Sequence, residues 1–274
     1  MTKVTISIAG CGWYGLNLAK ELVKNDHTVK GSTTTADKLP VLKNAGIQPY
    51  LIDFADSNIQ SVFFKCDILW ICIPPKTRSG NGEGYLNAIK NLIAAAKSHQ
   101  IKQVILISST SVYADDNSEV DELTIPDPDT ESGKVMVRAE ELLKQQNGFT
   151  TTIIRFAGLF GPGRDPGRFF GGKKDIPNGN APINLIHLTD CIGVSLAILD
   201  KQAFGQTYNA CTPDHPTKAA FYTKAAIRMG LEKPEFLDEK KDWKIVSSLF
   251  VGSVLNYQYQ ITSLMDCLDT PTEQ

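Results

Sequence analysis

The sequence predicts an α/β protein built around a parallel sheet, and three observations predict it. An N-terminal strand pattern passes through a glycine turn into a helix pattern. Strand and helix periods then alternate along the chain, and Cys66–Ile73 is an apolar run of strand length, as expected of a strand covered on both faces. At 274 residues the chain suits one core with an appended lobe. With 42% hydrophobic and 21% charged residues, it is not a disordered chain.

Composition also excludes partners. The net charge of -2, from 28 basic and 30 acidic residues, provides no global field and no basic stripe for nucleic acid, nor any attraction to an anionic membrane. An anion must therefore meet a local site. The six cysteines, at 11, 66, 72, 191, 211 and 267, form no C-x-x-C pair, and no His stands at metal-ligand spacing, so no metal is expected. Cys66 and Cys72 flank an apolar strand and read as buried free thiols, which fits the reducing cytoplasm. There is no apolar run of spanning length and no signal-type segment, so neither a membrane nor export is expected.

Taken in order, Val4, Ile6 and Ile8 alternate as a strand does, and Gly15, Leu18, Ala19, Leu22 and Val23 repeat at helical spacing. Between them lies Gly10-Cys11-Gly12-Trp13-Tyr14-Gly15, the candidate dinucleotide contact. Gly10 allows the tight turn, Gly12 lets backbone approach a pyrophosphate, and Gly15 lets the helix pack close to the strand. Cys11 is either a reactive thiol or a small residue that fits the turn. His27–Thr33 is the second strand, with the tip Ser32-Thr33-Thr34-Thr35-Ala36-Asp37-Lys38. No carboxylate stands at that strand end, so Thr33, Thr34 and Lys38 favour the 2′-phosphate of NADP over the 2′-hydroxyl of NAD. The alternative is a solvated Thr-rich loop with Asp37 as an N-cap.

Ile47–Ile52 is the third strand, after which Asp53 either accepts from an adenine amino group with Phe54 flanking the ring, or caps the next helix. Cys66–Ile73 stops at Pro74-Pro75, and Ile73, Pro74 and Pro75 are placed beside the cofactor. Residues 76–84 then make a polar loop on the carboxyl edge of the sheet, where ligands bind in open α/β folds, and Arg78 in it is a substrate candidate. Leu86, Ile89, Ile93 and Ala96 carry the next helix. Gln103–Ile107 is a strand that opens into Ser108-Ser109-Thr110-Ser111-Val112-Tyr113, whose hydroxyls either orient a substrate carbonyl or satisfy backbone groups.

Four stretches, in this order, resemble the extended and atypical short-chain dehydrogenases/reductases, which include the NAD-dependent epimerases/dehydratases. They are the glycine turn, Leu106–Tyr113, Arg155-Phe156-Ala157-Gly158-Leu159-Phe160-Gly161-Pro162-Gly163-Arg164, and Asn184–Asp190 followed by Tyr208-Asn209-Ala210. The resemblance implies a Rossmann-type, doubly wound sheet of seven strands that binds NAD(H) or NADP(H). It implies a dinucleotide domain of residues 1–161 completed by 183–211, and a small substrate lobe of 162–182 and 212–274. Ser109 matches the family's catalytic Ser/Thr, with Thr110 beside it. The family's Tyr-x-x-x-Lys pair is missing: counting back from Glu140 puts Met136 at the Lys position and Ser132 at the Tyr position, and no tyrosine has Lys four residues on. Ala9 also stands where extended members carry a glycine. Both departures resemble the atypical, YeeZ-like bacterial branch.

On this reading Ser109 and Thr110 line the nicotinamide pocket, and Lys134 points to another helix face than Met136. Arg155 is expected to be paired structurally and His187 to be packed. Arg164 and Arg168, with Tyr113, are the other substrate candidates, because two guanidiniums in an open loop suit a phosphate or carboxylate. The expected ligand is a small, possibly anionic molecule, and the expected state a monomer or homodimer.

Overall fold

The computed structural model describes residues 3–56, 62–75 and 82–269. β1 (Thr5–Ala9) turns into α1 (Trp13–Lys24), followed by β2 (Thr28–Thr33), α2 (Leu39–Asn44), β3 (Gln48–Leu51) and β4 (Ile68–Ile71). Next come α3 (Gly82–Ser98), β5 (Gln103–Ser109), β6 (Ser118–Val120), α4 (Glu131–Lys144), β7 (Thr150–Phe156) and β8 (Gly158–Phe160). The remaining elements are α5 (Gly167–Phe170), β9 (Leu185–His187), α6 (Leu188–Asp200), β10 (Thr207–Ala210), α7 (Lys218–Arg228), β11 (Lys244–Val246), α8 (Leu249–Ser253) and α9 (Leu264–Cys267).

The parallel main sheet has seven strands in the order β10-β7-β5-β4-β1-β2-β3. The chain moves outward from β1 through β2 and β3, then restarts on the other side at β4. Such a reversal leaves a crevice between the carboxyl ends of β1 and β4, the place where open α/β sheets bind ligands. All four residues of β4 are buried, which explains its unbroken apolar character. The strand is nonetheless shorter than expected. Asp67 N–H donates to the Thr5 carbonyl and Cys72 N–H to the Ala9 carbonyl at the two ends of the pairing with β1, and the flanking Cys66 and Cys72 are half-buried rather than buried. α7 begins at Lys218, where Thr217 caps it by accepting from the Ala220 N–H.

Two compact units divide the chain: Met1–Val112, Thr130–Arg155 and Ser195–Thr207 form the first, and Tyr113–Asp129, Phe156–Val194 and Tyr208–Gln274 the second. The second unit is larger than the expected lobe, because it takes in 113–129, 156–161, 183–194 and 208–211. Two short parallel pairs hold these segments there. β6 pairs with β11, Ser118 opposite Lys244, and β8 pairs with β9, Gly158 opposite Leu185. Around them pack Phe160, Ile183, Leu185, Phe221, Tyr222, Ala225, Leu264 and Leu268.

Candidate functional site

The glycine turn after β1 is built from three different requirements. Gly10 has φ +100°, and a Cβ there would lie 3.0 Å from Ile73 Cγ2. At Gly15 a Cβ would stand 2.4 Å from the Gly10 carbonyl oxygen, so only glycine lets α1 approach so closely. Gly12 differs, because its φ is -77° and a Cβ would meet nothing within 4 Å. Neither strain nor crowding explains that glycine. Ser32 straps the turn to β2: its Oγ accepts from the Gly10 N–H at 2.9 Å and its carbonyl from the Cys11 N–H at 2.8 Å. No side chain caps α1 and no acidic residue occupies its first turn, so the positive end of the helix dipole meets no internal anion.

Beside this turn lies a cavity of about 300 Å³. Of the expected cofactor residues, Gly10, Cys11, Gly12, Thr33, Thr34, Lys38, Asp53, Phe54, Ile73, Pro74 and Pro75 line it. Trp13, Tyr14 and Gly15 do not. Tyr14 is a correction, because its ring is buried and its hydroxyl lies 2.6 Å from Ser195 Oγ on α6. Thr33 Oγ1 accepts from the Thr35 N–H at 3.1 Å, which shapes the strand tip. Asp53 Oδ1 accepts from the Ala55 N–H at 3.0 Å, while Phe54 packs on Phe63 and Phe64. Among the described lining residues Lys38 is the one cation and Asp53 the one carboxylate; Asp37 is exposed and outside the wall. Burial pushes the Cys11 thiol up to about 12, so it is a neutral residue that fits the turn, not a nucleophile.

Sequence reasoning did not assign Gly84 and Ala88 on α3, although both line the cavity. The spacing of Gly84 and Ala88, four apart at the start of a helix that follows a ligand-edge loop, was the available signal.

At the end of β5 Ser108 and Ser109 have internal partners, while Ser111 Oγ is buried without one among the described residues. Ser108 Oγ donates to Glu140 Oε1 at 2.6 Å, and Arg155 grips the same carboxylate through Nε at 2.9 Å and Nη2 at 2.6 Å. Both charged residues are 2% exposed, so Arg155 is paired structurally, as expected. Ser109 Oγ accepts from the Ser111 N–H at 3.1 Å, and Thr110 is buried. On α4, Met136 is buried and Ser132 half-buried, whereas Lys134 is exposed and paired with Glu131 at 2.8 Å, on a different face from Met136.

The second unit holds the other candidates. Arg164 Nε donates to the Leu159 carbonyl at 2.8 Å, its guanidinium lies 6.0 Å from the Phe169 ring centre, and Arg168 is exposed on α5. Tyr113 is a second correction. It is 1% exposed, with its hydroxyl 2.8 Å from the Asp121 carbonyl and 3.1 Å from Asn209 Oδ1, which makes it an internal strut rather than a substrate ligand. His187 is packed: burial lowers its pKa against the pull of Asp190, and Nδ1 lies 3.1 Å from Thr189 Oγ1. Arg78 lies outside the described residues. Among the described residues no cluster could hold a metal ion and no helix is long and apolar enough to cross a membrane.

A family model described as NAD(P)H-binding matches residues 10–185. Protein YeeZ of Escherichia coli K12 is 39% identical over 264 residues, covering 93% of this chain and 95% of its own. The structure of UDP-glucuronic acid 4-epimerase from Bacillus cereus in complex with NAD superposes with a TM-score of 0.80 at 20% identity, over 97% of this chain and 96% of that one. A short-chain dehydrogenase/reductase superfamily protein from Agrobacterium tumefaciens with bound NAD gives a TM-score of 0.76 at 16% identity, over 96% and 95%. The family match over most of the chain and the match over most of YeeZ agree, and the chain belongs to the NAD(P)H-binding family as a homologue of YeeZ, with the seven-strand parallel fold that the epimerase and dehydrogenase structures share.

Proposed function

We propose that the cavity between the ends of β1 and β4 binds NADP(H), and that the protein is an epimerase/dehydratase-type oxidoreductase with an altered proton-transfer set. The observation that carries this reading is Gly12, whose missing Cβ would project into open space at the uncapped start of α1. The pyrophosphate takes that place, Thr34 and Lys38 take the 2′-phosphate, and Asp53 and Phe54 take the adenine. When bound, the nicotinamide supplies a hydride acceptor or donor. Ser109 and Thr110 line its pocket, and Ser132 and Met136 stand in place of the phenol and ammonium of the family pair. Serine is too weak an acid for the phenol's role, and a thioether carries no charge to shift a neighbour's pKa.

The UDP-sugar-binding relatives support a small anionic substrate, for which Arg78, Arg164 and Arg168 are the candidates. The protein acts in the cytoplasm as a monomer or homodimer. A second reading, a dinucleotide-binding regulator without turnover, is favoured by Met136, which is buried and apolar where the family has its lysine. Calorimetric titration with NAD⁺, NADH, NADP⁺ and NADPH tests the binding, with NADPH expected to be tightest; tighter NADH binding overturns the NADP assignment. Substrate-dependent change in the absorbance of the reduced nicotinamide, measured with UDP-sugars, separates enzyme from regulator.

A further inference from the structure

We infer that Tyr85 is a recognition residue for the nicotinamide half of the dinucleotide, its hydroxyl kept without an internal partner until the ligand brings an acceptor oxygen. The inference rests on the proposed cavity. Among the described residues six buried side-chain polar atoms lack a hydrogen-bond partner, on His27, Trp70, Tyr85, Gln103, Ser111 and Thr212. Only Tyr85 of these lines the cavity. A buried hydroxyl without a partner opposes folding, and such a group at a cavity wall points to a ligand that supplies one.

The neighbours explain why no protein group satisfies it. Glu140 acts on Tyr85 electrostatically, but Ser108 and Arg155 already occupy both carboxylate oxygens. Cys72, the other charge neighbour, has a thiol held well above its usual pKa by burial, so it offers only a neutral sulfur. Burial raises the Tyr85 phenol as well, which keeps it protonated and therefore a donor.

Position on the wall selects the half of the ligand. Thr34, Lys38 and Asp53 follow β2 and β3, whereas Cys72 follows β4 and Glu140 lies behind the end of β5. A dinucleotide laid across the reversal of strand order puts one half on each side, so Tyr85 stands opposite the adenosine side. The hydroxyl is withdrawn from solvent, so the ring must pivot to make the contact. Gly84 beside it and Ala88 on the next turn are the small residues of the same wall.

The test is Tyr85→Phe in the full chain, titrated with NADPH and with adenosine 2′,5′-bisphosphate, which carries only the adenosine half. The expected result is NADPH binding weakened roughly 5- to 20-fold, bisphosphate binding within about twofold of wild type, and a melting temperature of the ligand-free protein unchanged or raised. NADPH affinity unchanged within about twofold overturns the inference, as does an equal loss for both ligands or a lowered melting temperature with NADPH binding retained. Wild-type protein that binds no NADPH overturns the cavity assignment itself, a failure the wild-type titration identifies before the variant is read.

Discussion

After β1 the chain turns on Gly10 and Gly12; after β5 it turns on Ser108, Ser109 and Thr110. Both turns lie at carboxyl ends of parallel strands with β4 between them, yet the first opens onto a cavity while at the second Ser108 and Ser109 hold internal partners. At the glycine turn a missing side chain leaves space that no described residue fills within 4 Å. At the serine turn each hydroxyl must compete with backbone amides and a buried carboxylate, and these partners claim Ser108 and Ser109. A site made by omission keeps its capacity for a ligand, whereas one made of donors and acceptors keeps only what internal hydrogen bonding leaves over.

The largest expected effect sharpens the serine side of this contrast. Arg155→Leu leaves the Glu140 carboxylate buried with only the Ser108 hydroxyl and a distant Lys144 ammonium at 3.7 Å, and should cost about 3–5 kcal/mol of stability in urea unfolding. Adding Glu140→Leu should restore much of that loss. A single-variant cost below about 1 kcal/mol would mean that the ion pair does not organise this end of the sheet.

On the glycine side, Gly12→Val should weaken NADPH binding by about 100-fold or more, equivalent to about 2.7 kcal/mol, with cooperative unfolding retained. Undiminished affinity in a folded variant would remove the pyrophosphate from this turn. Lys38→Ala tests the rim of the same cavity, and should narrow the preference for NADPH over NADH by about 5- to 10-fold, as measured by paired titrations.

Smaller effects follow. Ser109→Ala removes a turn-capping acceptor that also lines the proposed nicotinamide pocket, and should cost about 0.5–1 kcal/mol of stability and weaken NADPH binding about two- to fivefold; unchanged affinity would remove Ser109 from the dinucleotide. Cys11 should resist alkylation near neutral pH, with labelling, followed by mass spectrometry, rising only as pH approaches the raised value of about 12. Because this folded value lies above the ordinary 9.0, ionisation opposes the fold. The thiol's contribution is fully present below 9.0 and is lost as pH rises towards about 12. Rapid labelling of the native protein at neutral pH would contradict the buried, neutral thiol.

The sequence by itself determined the sheet and the glycine turn, because both follow from local rules. Alternation at Val4, Ile6 and Ile8, the apolar run through β4, and glycines whose use is to lack a Cβ are properties of short segments. Tertiary structure alone decided which polar groups remain available. Tyr14 and Tyr113 looked like ligand residues in sequence, but Ser195 stands 181 residues from Tyr14 and Asn209 stands 96 from Tyr113, and no local pattern announces such partners. The same holds for the unit boundary, which depends on β6 meeting β11 and β8 meeting β9. A hydrogen bond satisfies a group wherever its partner lies in the chain, so side-chain availability is a property of the folded packing and not of the neighbouring sequence.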